Sequence, residues 1–90
     1  MKRYKIHVGG RASEIKRVLS ILFKRGYVFA SNRIRTVESL EKLWGNERMK
    51  HWDWIVTGYD EECKAIIGVI SGDTPICEPI TIEEFLKLSV

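Results

Sequence analysis

The run Ala65-Ile66-Ile67-Gly68-Val69-Ile70 has no polar side chain at any position. A strand with one wet face alternates apolar and polar residues, whereas a strand covered on both faces need not. A run this short cannot cross a bilayer. It therefore predicts an interior strand over Cys63 to Ile70, covered on both faces. Trp54 to Tyr59 is rich in aromatic and β-branched residues, and the acidic break Asp60-Glu61-Glu62 separates the two runs. Together they predict a hairpin, with helices supplying its cover.

The remaining segments provide those helices. Tyr4, Ile6 and Val8 alternate with Lys5 and His7, which predicts a half-wet edge strand ended by Gly9-Gly10. Ser13 is a candidate N-cap, with Glu14 in the first turn, where a carboxylate suits the helix dipole. Ile15, Val18, Leu19, Leu22 and Phe23 then recur at helical spacing. Gly26, after Lys24 and Arg25, is the expected C′ residue. Tyr27 to Ser31 predicts a second strand, and Asn32 to Thr36 a polar loop. Val37 to Trp44 predicts a short helix with Val37, Leu40, Leu43 and Trp44 on one side, stopped by Gly45-Asn46. Glu47 to His51 is then a charged connection. Ser71-Gly72-Asp73-Thr74-Pro75 is turn chemistry. Pro-interrupted Ile76 to Ile80 predicts an edge segment or loop. Thr81-Ile82-Glu83-Glu84 fits a capping box that opens a C-terminal helix anchored by Phe85, Leu86 and Leu88.

The order is β-α-β-(short α)-β-β-α, a single small α+β domain over residues 1–90. The expected sheet is mostly antiparallel, with about four strands packed by helices. A chain of this length buries roughly 60–65% of its unfolded surface, enough for one modest core. With 44% hydrophobic and 30% charged residues, disorder is excluded as the default.

Two cysteines, Cys63 and Cys77, are too few for a secreted disulfide scaffold and lack zinc-ligand spacing. They are expected to be buried or semi-buried thiols. The basic start is followed by Ile6-His7-Val8-Gly9-Gly10, not a signal-peptide apolar region, so a cytoplasmic location without membrane association is expected. Charge is lopsided. Residues 1–51 hold 13 Lys/Arg and 4 Asp/Glu, whereas residues 52–90 hold 2 and 8. Such asymmetry points to a basic surface and an acidic one, or to two halves that offset one another.

Catalytic chemistry finds little support in the residues. His7 and His51 have no second ligand at metal spacing, no serine sits in a nucleophile elbow, and the carboxylates are explained by turns and helix starts. The expectation is a protein that is not an enzyme and needs no cofactor or metal. Gly9, Gly10 and Arg11, between a strand and a helix start, form a candidate anion site, although a plain turn explains the glycines equally. The stronger candidate lies in the middle of the chain. Arg33, Arg35, Arg48, Lys50 and His51 are interleaved with Trp44, Trp52 and Trp54. Arginine holds phosphates bidentately and indoles stack on bases. Trp44 and Trp54 also fit a packed core, while Trp52 is the indole least explained by packing. The expected ligand-binding residues are Arg33, Arg35, Arg48, Lys50 and Trp52, and the expected ligand is a nucleotide or nucleic acid. Trp and Arg also dominate protein–protein hot spots. The alternative is therefore an inhibitor or adaptor that binds a host protein, and homo-oligomers stay open.

Three features of the chain occur together: a helix running into Phe23-Lys24-Arg25-Gly26-Tyr27-Val28-Phe29-Ala30-Ser31, the apolar hairpin, and the ending Ile80-Thr81-Ile82-Glu83-Glu84-Phe85-Leu86. This layout resembles small uncharacterised proteins of bacteriophages and prophages, which often carry a Gly-Tyr-x-Trp/Phe-Ala-Ser turn and a Thr-x-x-Glu-Phe-Leu ending. Phe29 stands where such proteins often have Trp, and Asn32 to Lys50 has no counterpart. The resemblance implies an accessory gene product in the host cytoplasm, acting against a host system such as a defence. It transfers no catalytic residue.

Overall fold

A computed structural model describes residues 3–30 and 33–88. Five strands, β1 (Tyr4–His7), β2 (Val28–Phe29), β3 (Trp54–Tyr59), β4 (Ala65–Ile70) and β5 (Glu78–Pro79), form one mixed sheet in the order β2-β4-β3-β1-β5. The β3–β4 hairpin and the β1–β3 pair are antiparallel, while the edges β2 and β5 pair parallel to β4 and β1. The fold is α+β as expected. The sheet has one strand more than expected, because the Pro79 segment pairs with β1, and its two edges are parallel. Strands β1 and β2 are not neighbours; the whole hairpin lies between them. Ser31 and Asn32, at the end of the expected second strand, lie outside the described residues.

Helix α1 (Ala12–Lys24) buries Ile15, Val18, Leu19 and Leu22, the stripe that its spacing predicts. Its N-cap is Arg11, without a side-chain bond, so Ser13 is not the cap. At the other end Gly26, at φ 92°, makes a full Schellman turn: its amide donates to Phe23 O (3.0 Å) and that of Tyr27 to Leu22 O (3.1 Å). Helix α2 (Val37–Met49) starts at Thr36, whose hydroxyl accepts from the Ser39 amide. Gly45 leaves helical geometry (φ 67°, ψ 177°) and ends the first helical segment, as expected. A second segment then runs to Met49 where a charged connection was expected, because buried Met49 anchors it in the core. Leu43 is 52% exposed, outside the expected stripe. The capping box at Thr81 and Glu84 opens α3 (Ile82–Leu86) as expected.

All three helices pack on one face of the sheet. Ile6, Ile55, Ile67 and Phe29 on that face share a single core with Ile15, Leu19, Leu22, Leu40, Met49 and Phe85. Phe85 reaches the sheet through ring contacts with Tyr4 (5.9 Å) and Tyr27 (6.0 Å). This corrects the reading of β4 as covered on both sides. It is interior by hydrogen bonding, with a neighbour on each side, yet helices cover one face alone. Ile67 is 1% exposed, whereas Ile66, Gly68 and Ile70, which point the other way, are half-buried. Cys77 is buried as expected. Cys63 is exposed, because it occupies the left-handed position (φ 63°) of the turn between β3 and β4.

Candidate functional site

The second face of the sheet follows from strand register. Cross-strand partners share a face, so Lys5, Val56 and Gly68 form one row, His7, Trp54 and Ile70 a second, and Gly58, Ile66 and Val28 a third. A face open to water should carry polar side chains. This one is apolar except along β1. Among the described residues no helix covers it, and the segment from Ser71 to Cys77 crosses part of it, leaving Ile76 72% exposed.

That segment is pinned to the sheet. The Lys5 ammonium pairs with the Asp73 carboxylate and donates to Thr74 O (3.0 Å). Lys5 is buried, and its charge also lies 4.6 Å over the Trp54 ring. The Lys5 hydrogen bond, helped by the Thr74 amide, holds the Asp73 carboxyl below the usual range. A second anchor is the Gly72 amide, which donates to the Asp53 carboxylate at 2.8 Å.

Between this segment and the hairpin lies an apolar hollow of about 290 Å³. Val56, Ile66, Ile70 and Ile76 line it, and Gly58 and Gly68 contribute no side chain to its floor. Among the described residues Arg3 is the sole charged one on its lining. Neither Arg3 nor any group here is a predicted site residue. The signal was present in the sequence: Trp54, Val56, Gly58, Ile66, Gly68 and Ile70 all carry even numbers, so two strands in this register place them on one face.

The predicted ligand residues do not assemble into one surface. Arg33 and Arg35 lie before the start of α2, while Arg48 and Lys50 lie at its far end, beyond the break at Gly45, and the concavity that Arg33 and Arg35 line includes neither of them. Arg33 faces the Asp60 carboxylate (3.6 Å) and Lys50 the Glu47 carboxylate (3.1 Å). Trp52, expected at the surface, is 7% exposed and belongs to the core. Its indole packs edge-on against Trp44 at 5.7 Å, and Trp44 in turn against Phe29. No face of Trp52 is free for a base. After the break at Gly45 the chain returns to the core, where Met49 and Trp52 are buried.

The Gly9-Gly10-Arg11 candidate has no free backbone amide. Its amides are already used: Gly9 N donates to Asp53 O (3.1 Å), Gly10 N to Trp52 O (2.8 Å) and Arg11 N to Val8 O (3.1 Å). Gly10 is there because of packing, since a Cβ would meet Lys50 O at 2.5 Å.

Arg33 and Arg35 do share a second concavity, of about 490 Å³, with Lys64, Phe23 and Tyr27. Lys64 faces Glu62 (3.1 Å), which leaves Arg35 without an ion pair among the described residues. Among the described residues no group of three or more His, Cys, Asp or Glu is placed to hold a metal, and no helix is long and apolar enough to cross a membrane. Comparison with known proteins adds nothing to this picture: no protein family, curated protein or solved structure matches the chain.

Proposed function

We propose that this protein is a binding module, not a catalyst, that docks on another protein through the bare face of its sheet. One observation carries the reading. Val56, Ile66, Ile70 and Ile76 line one apolar hollow, and strand register puts Val28 and Trp54 on the same face, which no helix among the described residues covers. Isolated exposed apolar residues are ordinary, but a contiguous patch costs solubility and marks an interaction surface. The resemblance to small bacteriophage proteins supports an accessory role, as inhibitor or adaptor of a host protein. The test is affinity capture from host extract, followed by calorimetry with the purified partner. Ile66→Glu places a charge at the centre of the face and should abolish binding, whereas Arg48→Glu, on α2, should not. Equal binding by both variants would refute the reading.

A second reading rests on the Arg33–Arg35–Lys64 concavity, where the aromatic walls Phe23 and Tyr27 accompany three cations. A nucleotide or nucleic acid could bind there. Two of the cations already face carboxylates, so the net positive charge available to a phosphate is small. Titration of labelled mononucleotides and single-stranded oligonucleotides at low salt tests it. Phosphate contacts to a polymer would weaken steeply as salt rises, and absence of binding below about 100 μM removes this reading.

A further inference from the structure

Resting on the docking reading above, we propose that the hollow over Gly58 and Gly68 is the anchor pocket of the interface. It receives an apolar side chain of the partner protein, and an adjacent carboxylate of that partner meets Arg3.

The two glycines supply the first argument. Glycine inside a strand weakens it, and it often marks a bulge, a tight bend or a close approach by a ligand or another chain. The fold itself does not ask for glycine at either position. Neither has a positive φ, unlike Gly9, Gly10, Gly26, Gly45 and Gly72. A Cβ at Gly58 would come no nearer than 3.8 Å, to Arg3, and one at Gly68 would meet Val56 Cγ2 at 3.5 Å. Both are ordinary contacts. At Gly68 the absence of a side chain therefore serves the hollow above it and not the sheet beneath, while at buried Gly58 it seats the Arg3 side chain that edges the hollow.

Size and charge then define the occupant. An apolar cavity of about 150 Å³ holds a benzene ring, and sites for larger organic ligands start at about 300 Å³. A hollow of about 290 Å³ suits one or two side chains. Its walls, Val56, Ile66, Ile70 and Ile76, require that the inserted group be apolar. Arg3 on the lip is exposed, has no ion pair among the described residues, and no carboxylate lines the hollow with it. The matching anion must come from the occupant, and a guanidinium holds a carboxylate through two parallel hydrogen bonds. An apolar side chain beside Asp or Glu satisfies both demands.

The probe is a random peptide library displayed on phage and selected on the immobilised full chain. Enriched peptides should share an apolar residue next to Asp or Glu. Gly68→Val fills the hollow and Arg3→Glu reverses its lip, and each should weaken the enriched peptides about tenfold or more, as loss of an anchor does. Exchange of the peptide acid for lysine should restore binding to Arg3→Glu. Melting curves establish that both variants are folded, and Gly68→Ala, which adds an ordinary methyl contact, should shift affinity in the same direction. The proposal is overturned if nothing is enriched, if the enriched peptides lack an acid, or if Gly68→Val binds them unchanged. It is also overturned if sedimentation shows a dimer that Gly68→Val dissociates, because the occupant is then a second copy. Should Ile66→Glu abolish partner binding while Gly68→Val and Arg3→Glu leave it intact, the face is the docking surface and the hollow is not its anchor.

Discussion

Val56 and Gly68 are direct partners across β3 and β4, and a methyl group on Gly68 would rest 3.5 Å from Val56 Cγ2. The fold thus has room for a side chain that the sequence withholds. Gly68→Ala should leave the melting temperature unchanged or raise it, by the equivalent of up to about 0.5–1 kcal/mol. A clear fall in thermal stability would mean that the strand itself needs glycine, and the hollow would lose its functional explanation.

Ile66 and Ile67 test one-sided coverage of the sheet. Ile67 is buried under the helices, so Ile67→Ala should cost about 2–5 kcal/mol through lost transfer energy and a cavity. Ile66 points to the bare face, so Ile66→Ala should cost about 1 kcal/mol or less. Denaturant titration of the two variants gives both values. Equal losses would require a second covering layer.

The C-terminal helix depends on its first turn. The Thr81 hydroxyl accepts from the Glu84 amide (3.0 Å), and the Glu84 carboxylate accepts from the Thr81 amide (3.3 Å). Thr81→Ala should cost about 0.5–2 kcal/mol in urea unfolding. A silent substitution would show that Phe85, packed on Tyr4 and Tyr27, holds the helix alone.

Tyr27 gives the fold an alkaline limit. Burial, with the Tyr59 phenol alongside, pushes its hydroxyl up to about 12. An unfolded tyrosine ionises near pH 10, at about its unperturbed value. The folded state therefore keeps this proton longer than the unfolded state does. The associated stability is complete below about pH 10 and is lost as pH rises toward about 12. Phenolate absorbance of wild type and Tyr27→Phe, recorded across that range, isolates this group. Ionisation of Tyr27 near pH 10 would show that it is not buried as described.

Those elements whose signals are local were legible in the sequence. The α1 stripe, the Gly26 turn, the hairpin and the Thr81 capping box each depend on residues a few positions apart. What the chain does at long range was not legible. An all-apolar strand is compatible with cover on both faces or with one face kept for a partner, and periodicity does not separate the two. The burial of Trp52 was not legible for the same reason. It depends on the second helical segment, after the break at Gly45, where the chain returns Met49 and Trp52 to the core. The separation of Arg33 and Arg35 from Arg48 and Lys50 follows from the same second segment. Lys5 and Asp73 are 68 residues apart in sequence, and no local pattern announces their pairing.

The central claim, that the bare sheet face is the docking surface, is tested most directly by methyl NMR of isoleucine-labelled protein titrated with the captured partner. The account predicts that the methyl signals of Ile66, Ile70 and Ile76 shift or broaden, while those of Ile15, Ile55 and Ile67, in the core beneath the helices, hold their positions. Perturbation confined to residues flanking the helices or the Arg33–Arg35 concavity, with Ile66, Ile70 and Ile76 unmoved, would contradict it.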